Sequence, residues 1–182
     1  MMNLIDKKIW FIADFHFGHH KAIEYCNRPF KTTTEMNNAL IKNYNSVVGG
    51  NDVVYILGDL SFLNTESTTQ IVNTLKGFKF LIKGNHDPKT NAGYRKMGFI
   101  DVYDKPIILF DKYILSHEPI DANFGDMINI YGHLHNNAHN DDFNKFCVSV
   151  EKINYTPISF NRICEFLYPN RIEYFPFVEG IK

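Results

Sequence analysis

Between residues 14 and 135 the chain carries five short polar clusters: Asp14-Phe15-His16, Gly58-Asp59, Gly84-Asn85-His86-Asp87, His117, and Gly132-His133-Leu134-His135. Their side chains are of one chemical kind. Carboxylate and amide oxygens mixed with imidazole nitrogens, with no thiolate among them, suit borderline divalent ions such as Mn²⁺, Fe²⁺ or Zn²⁺ better than Ca²⁺ or a structural zinc. Seven candidate ligands (Asp14, His16, Asp59, Asn85, His117, His133, His135) are too many for one tetrahedral ion and suit two ions that share a carboxylate. Such a pair, about 3.5–4 Å apart, can activate a water and clamp both oxygens of a displacement at phosphorus. A lone histidine at a strand end is ordinarily a hydrogen-bonded structural residue, but five of the eight histidines fall inside these clusters.

Residues so far apart in sequence meet only if several strands end at one edge. Each cluster follows an apolar run: Lys8–Ala13, Asp52–Leu57, Phe78–Ile82, Tyr113–Leu115 and Met127–Tyr131. Between the first three runs the apolar spacing becomes helical. Thr32-Thr33-Thr34-Glu35 fits a capping box ahead of Met36, Ala39, Leu40, Tyr44, Val47 and Val48, and Asn64 or Thr65 can cap a helix to about Lys76. Strand-helix units in succession predict βαβ crossovers and a largely parallel core, whose carboxyl edge is where ligands bind. Beyond residue 100, Val102-Tyr103, Pro106–Phe110 and Tyr113–Leu115 read as a hairpin turning at Asp111-Lys112, and Phe146–Val150 as a further strand. Thr156 and Pro157 are placed to start a last helix to Tyr168, and the aromatic tail to Lys182 reads as an edge strand in preference to a partner contact. Glycines before three clusters, Gly58, Gly84 and Gly132, allow sharp turns and close approach to a ligand.

The 182 residues, 45% of them hydrophobic, fit one domain spanning 1–182. A net charge of −1 gives no electrostatic footprint for gripping a phosphate backbone, so a nucleic-acid partner is neither implied nor excluded. No apolar run approaches the roughly 20 residues of a membrane span. Cys26, Cys147 and Cys164 form no C-x-x-C pair and read as buried free thiols in a reducing cytoplasm.

In order and in context, Asp14-x-His16, Gly58-Asp59, Gly84-Asn85-His86-Asp87, His117 and Gly132-His133-x-His135 resemble the five blocks of the calcineurin-like metallophosphoesterases. Asp14-Phe15-His16-Phe17-Gly18-His19, followed by Asn27-Arg28-Pro29-Phe30, looks further like the small single-domain enzymes of bacteria and phages. The resemblance implies an α/β/β/α sandwich of mixed sheets with flanking helices and the metal site at strand carboxyl ends. It implies one ion held by Asp14, His16, Asp59 and His135 and a second held by Asp59, Asn85, His117 and His133, with Asp59 bridging. A hydroxide between the ions would attack phosphorus in line, and His86 would protonate the leaving oxygen. Mn²⁺ is the expected ion, with Fe²⁺, Zn²⁺ or Mg²⁺ as alternatives.

Asp87 is expected to orient a neighbour or close the turn. Arg28 could bind a substrate phosphate or merely stand in a structural turn, and His19 could line the cleft or face solvent. His20 and His139 read as surface residues, and Asp52, Asp101 and Asp104 as turn or cap residues. Protein serine/threonine phosphatases of this superfamily continue the second block as Gly-Asp-x-x-Asp-Arg-Gly, whereas here it runs Gly58-Asp59-Leu60-Ser61-Phe62. The expected substrate is therefore a small phosphodiester or nucleotide. A phosphomonoesterase, and a metal-binding scaffold for a protein partner, are the competing readings.

Overall fold

The computed structural model describes residues 7–120, 125–137 and 144–168. In chain order the elements are β1 (Ile9–Ile12), α1 (His20–Tyr25), α2 (Thr33–Val47), β2 (Val53–Ile56), α3 (Thr65–Thr74), β3 (Phe78–Ile82), α4 (Asn91–Lys96), β4 (Asp101–Tyr103), β5 (Ile107–Leu109), β6 (Tyr113–Leu115), β7 (Ile128–Tyr131), β8 (Lys145–Cys147), β9 (Ile158–Ser159) and α5 (Phe160–Leu167). They form a five-stranded sheet, β4-β3-β2-β1-β9, and a four-stranded sheet, β5-β6-β7-β8. In the first, β1 to β4 are parallel and β9 runs antiparallel to β1. In the second, β5 and β6 make an antiparallel hairpin, and β6, β7 and β8 are parallel.

The continuous apolar character of β1 and β2 follows from burial on both faces. Ile9, Phe11, Ala13, Val53, Tyr55 and Leu57 alternate onto one side and pack with Leu115, Ile128 and Ile130 of the second sheet. Ile12, Val54 and Ile56 point the other way, onto Met36, Leu40 and Tyr44 of α2 and Val72 of α3. The result is mixed sheets face to face with flanking helices, as the family resemblance implies. Ile163 and Cys164 of α5 join the inter-sheet cluster.

Several local expectations shift. Thr32 caps α2 by accepting from the Glu35 N–H at 3.1 Å, but Glu35 reaches back to the Lys31 N–H at 2.8 Å, one residue beyond the capping box. Asn64 is the residue that caps α3. Val102-Tyr103 pairs with β3 in the first sheet and takes no part in the hairpin, whose turn centres on Phe110 and Asp111, both at positive φ. The last helix begins after Ser159, not at Pro157, because Ile158 and Ser159 are held extended by Phe11 and Trp10 of β1. Phe166 of this helix is 68% exposed. The proposed edge strand of the tail and His139 lie outside the described residues.

The strand ends are stitched together where the clusters lie. The segments after β1 and β2 run side by side, with Asp14 N donating to Gly58 O, His16 N to Asp59 O and Phe17 N to Leu60 O. Past β8 the chain crosses between sheets, with Ala13 N donating to Val148 O and Val150 N to Ala13 O. The carboxyl ends of both sheets thus open onto one place.

Candidate metal centre

The backbone bends sharply as each strand gives out. Asp14, His16, Asp59, His133 and His135 all have positive φ, between 49° and 70°. Asp and His tolerate the left-handed region better than bulkier residues, yet each such residue costs about 1–2 kcal/mol. Strain concentrated in the candidate ligands aims side chains of neighbouring strands at a common point. The approach is too close for a Cβ in places: one on Gly84 would lie 2.2 Å from Asp59 Oδ1, and one on Gly132 2.4 Å from the Ala13 Cβ.

All seven expected ligands converge. Asp14, His16 and His135 offer donor atoms within 4.8 Å of one another, as do Asp14, Asp59 and His117. Asp59 lies between two imidazoles, its Oδ2 3.4 Å from His16 Nε2 and its Oδ1 3.5 Å from His117 Nε2. Asn85 Oδ1 stands 2.9 Å from His117 Nε2 and 3.1 Å from His133 Nδ1. Asp14 Oδ2 accepts from the His133 N–H at 2.8 Å, while Oδ1 is buried without a hydrogen-bond partner, as is His16 Nε2.

The opposite ring nitrogens explain which atoms face inward. His117 Nδ1 is 2.8 Å from the Leu57 carbonyl, an acceptor, so it carries the proton and Nε2 presents a lone pair. His135 Nδ1 donates to Glu151 Oε1 at 3.0 Å, which turns Nε2 toward Asp14 Oδ1 at 4.0 Å. His16 Nδ1 meets His19 Nδ1 at 3.2 Å; donation to His19 frees His16 Nε2 as a ligand. Converging lone pairs, carboxylate oxygens and an amide oxygen repel one another unless a cation lies among them, so the residues fit divalent metal.

Electrostatics bears the same stamp. Burial lifts the Asp14 carboxyl to about 6 against the pull of His135 and His117. Burial drives His16 down to about 4 despite Asp59 beside it. Burial works to raise Asp59, but His16, His117 and the His86 N–H outweigh it and bring it to about 2. For His135, burial disfavours the charged ring, yet Cys26, Glu151 and Asp14 raise it to about 10. His133 is lowered by burial and by His117.

His86 and Asp87 divide the tasks of their turn. The His86 N–H donates to Asp59 Oδ1 at 2.9 Å, which leaves its exposed imidazole on the rim. Buried Asp87 accepts from Gly84 N, Asp59 N and Leu60 N at 2.9, 2.8 and 3.1 Å and from the Tyr94 hydroxyl at 3.1 Å. It therefore ties the turn after β3 to the turn after β2. His19, which could line the cleft or face solvent, contacts His16 and lies flat on Phe62, 3.8 Å between ring centroids.

Of the two readings of Arg28, the structure shows the structural one: its side chain turns inward. It is 4% exposed, and its guanidinium donates to the carbonyls of Phe15 and Asp14, both at 2.8 Å, to the Met36 sulfur, and to Glu151 Oε1. The Arg28–Glu151 pair closes to 2.7 Å with both side chains buried, so Arg28 braces the first cluster from behind. Glu151 belongs to none of the five clusters although it directly follows the apolar run Phe146–Val150, and only the crossing of the chain past β8 brings it to His135. The sulfur of Cys26 joins His135 and Glu151 in a third group of ligand-type atoms, and all three cysteines are buried.

A two-sheet α/β fold with carboxylates, an amide and four imidazoles gathered at strand ends defines a hydrolytic metalloprotein of the phosphoesterase type. The family model of calcineurin-like phosphoesterases matches residues 7–168, and the chain belongs to that family. Metal-dependent hydrolysis of phosphoric esters is the activity that membership carries. A protein of Methanocaldococcus jannaschii is 36% identical over 178 residues, covering 91% of this chain and 94% of that one. The gene 66 protein of Mycobacterium phage L5 is 38% identical over 81 residues, 43% of this chain and 39% of its own. The crystal structure of the Aquifex aeolicus protein AQ665, of unknown function, superposes with a TM-score of 0.70 at 26% identity, covering 88% of this chain and all of that one. Among the described residues no helix is long and apolar enough to cross a membrane.

Proposed function

We propose that the protein is a dinuclear phosphodiesterase acting on a small phosphodiester or nucleotide in the cytoplasm, with Mn²⁺ as its ion. The observation that carries this reading is Asp59, whose two carboxylate oxygens face His16 on one side and His117 on the other. Asp14, His16, Asp59 and His135 would hold one cation, and Asp59, Asn85, His117 and His133 the other. When bound, the cations supply positive charge for the phosphoryl oxygens and lower the pKa of an attacking water.

The chain's own groups do the rest. Asp87 holds the turns after β2 and β3 at fixed separation, so Asp59 and Asn85 keep their places. His86, tied by its backbone to Asp59 and open at the rim, gives a proton to the leaving oxygen. Diester preference is supported by charge: a monoester approaches −2 near neutral pH, and Arg28, the guanidinium beside the site, is already committed to Glu151 and two carbonyls. Three buried cysteines, none in a disulfide among the described residues, support a reducing compartment.

The test is hydrolysis of bis(p-nitrophenyl) phosphate beside p-nitrophenyl phosphate by metal-stripped protein titrated with Mn²⁺, Zn²⁺ and Mg²⁺. Metal-dependent turnover with kcat/KM higher for the diester is expected. Faster monoester turnover would make the protein a phosphomonoesterase, and no turnover with any metal would favour the scaffold.

A further inference from the structure

We infer that Phe62 is a stacking platform for the base of a nucleotide, so that this site takes nucleotides in preference to phosphoesters without an aromatic ring. The inference rests on the phosphoesterase reading above and names its substrate class. Phe62 is 44% exposed, an unfavourable position for a large apolar ring, and it stands at the mouth of the metal centre. Its ring lies parallel to His19 at 3.8 Å, 5.3 Å from the His16 ring at 21°, and 5.0 Å from the His86 ring.

The exposure is built into the backbone. Phe62 N donates to Phe17 O at 2.9 Å, Ser61 bridges to Phe17, and the Ser61 hydroxyl meets that of Thr68 at 3.0 Å and accepts from Leu63 N at 3.1 Å. His19 stacks against one face of the ring. The uncovered aromatic surface is then held ready beside His86, the group placed to protonate the leaving oxygen, so one ligand can present its phosphate to the metal centre and its ring to Phe62. A flat apolar surface offers no hydrogen-bond code, so purine and pyrimidine nucleotides are both accepted.

The test is calorimetric titration of the Mn²⁺-loaded full-length protein with adenosine 5′-monophosphate, uridine 5′-monophosphate, ribose 5-phosphate and inorganic phosphate. Base stacking makes both nucleotides bind about tenfold or more tighter than ribose 5-phosphate. Phe62→Ala should remove that preference while leaving inorganic phosphate affinity and metal content unchanged, and Phe62→Trp should keep it. Phosphate binding without a base preference in the wild type, or a preference that survives Phe62→Ala, overturns the platform and leaves the phosphoesterase reading intact. Failure of all four ligands to bind also overturns the platform, and turnover of bis(p-nitrophenyl) phosphate then decides the phosphoesterase reading separately.

Discussion

Glu151→Gln removes one negative charge from a buried cluster while keeping the side chain's shape. Glu151 and Arg28 are in contact at 2.7 Å with side chains 1% and 0% exposed, so the change strands a guanidinium out of water. Breaking a buried pair from one side costs about 3–5 kcal/mol, and the lower end applies because the Gln amide oxygen still accepts a hydrogen bond. For a chain of this size about 3 kcal/mol lowers Tm by about 6–12 °C. The same carboxylate holds His135 at 3.0 Å, and losing such a partner of a ligating histidine weakens metal binding about 10–100-fold. Urea unfolding of metal-free protein and competition for Mn²⁺ against a fluorescent chelator read the two effects separately.

The pH dependence of that loss has a definite sign. Burial acts to raise Glu151, but His135 and Arg28 bring it down to about 2, so its contribution is full above the ordinary carboxylate range and is lost as pH falls toward 2. His135 is raised to about 10, so its contribution is full below its ordinary value and is lost as pH rises through 10. In metal-free protein the stability gap between wild type and Glu151→Gln should therefore be widest near pH 5–6 and narrow on both sides. A gap under about 1 kcal/mol at that pH together with unchanged Mn²⁺ affinity would refute the brace.

Asp59→Asn should lose metal and turnover together, and a variant with full activity and two bound ions would exclude the bridging role. His86→Ala should retain metal while lowering kcat/KM about 10²–10⁴-fold for poor leaving groups and less for p-nitrophenol; equal losses would reassign His86 to phosphate positioning. Gly84→Ala places a methyl 2.2 Å from Asp59 Oδ1 and should cut Mn²⁺ affinity about tenfold or more, as measured by metal titration. Because metal-free His135 is charged at neutral pH, metal loading should release about one proton, seen by calorimetry in buffers of different ionisation enthalpy. Heats that do not depend on the buffer would contradict the protonated His135.

The parallel core could be read in advance because its information is local. Runs such as Val53–Ile56 are apolar throughout and stop at a glycine-aspartate pair, and the helices between them carry their own caps and faces. Misreadings came where a partner across the fold set the conformation. Ile158-Ser159 would suit a helix start, but edge pairing with β1 extends it; Val102-Tyr103 could join either sheet, and the free edge of β3 takes it. The short helices α1 and α4, six residues each, leave too few apolar positions to show a period.

The sequence by itself marked the seven polar residues that the fold gathers at one edge and the class of chemistry they suit, because residue type and place at a strand's end are both written locally. Tertiary structure alone decided which ring nitrogen each histidine presents and what supports it. His117 depends on the Leu57 carbonyl, His135 on Glu151, and Glu151 on Arg28, 123 residues earlier in the chain. Such pairings have no spacing to recognise: a buried donor takes whichever acceptor the packing brings within reach, and here that packing turned Arg28 inward onto Glu151 and two carbonyls and left Phe62 exposed beside His16.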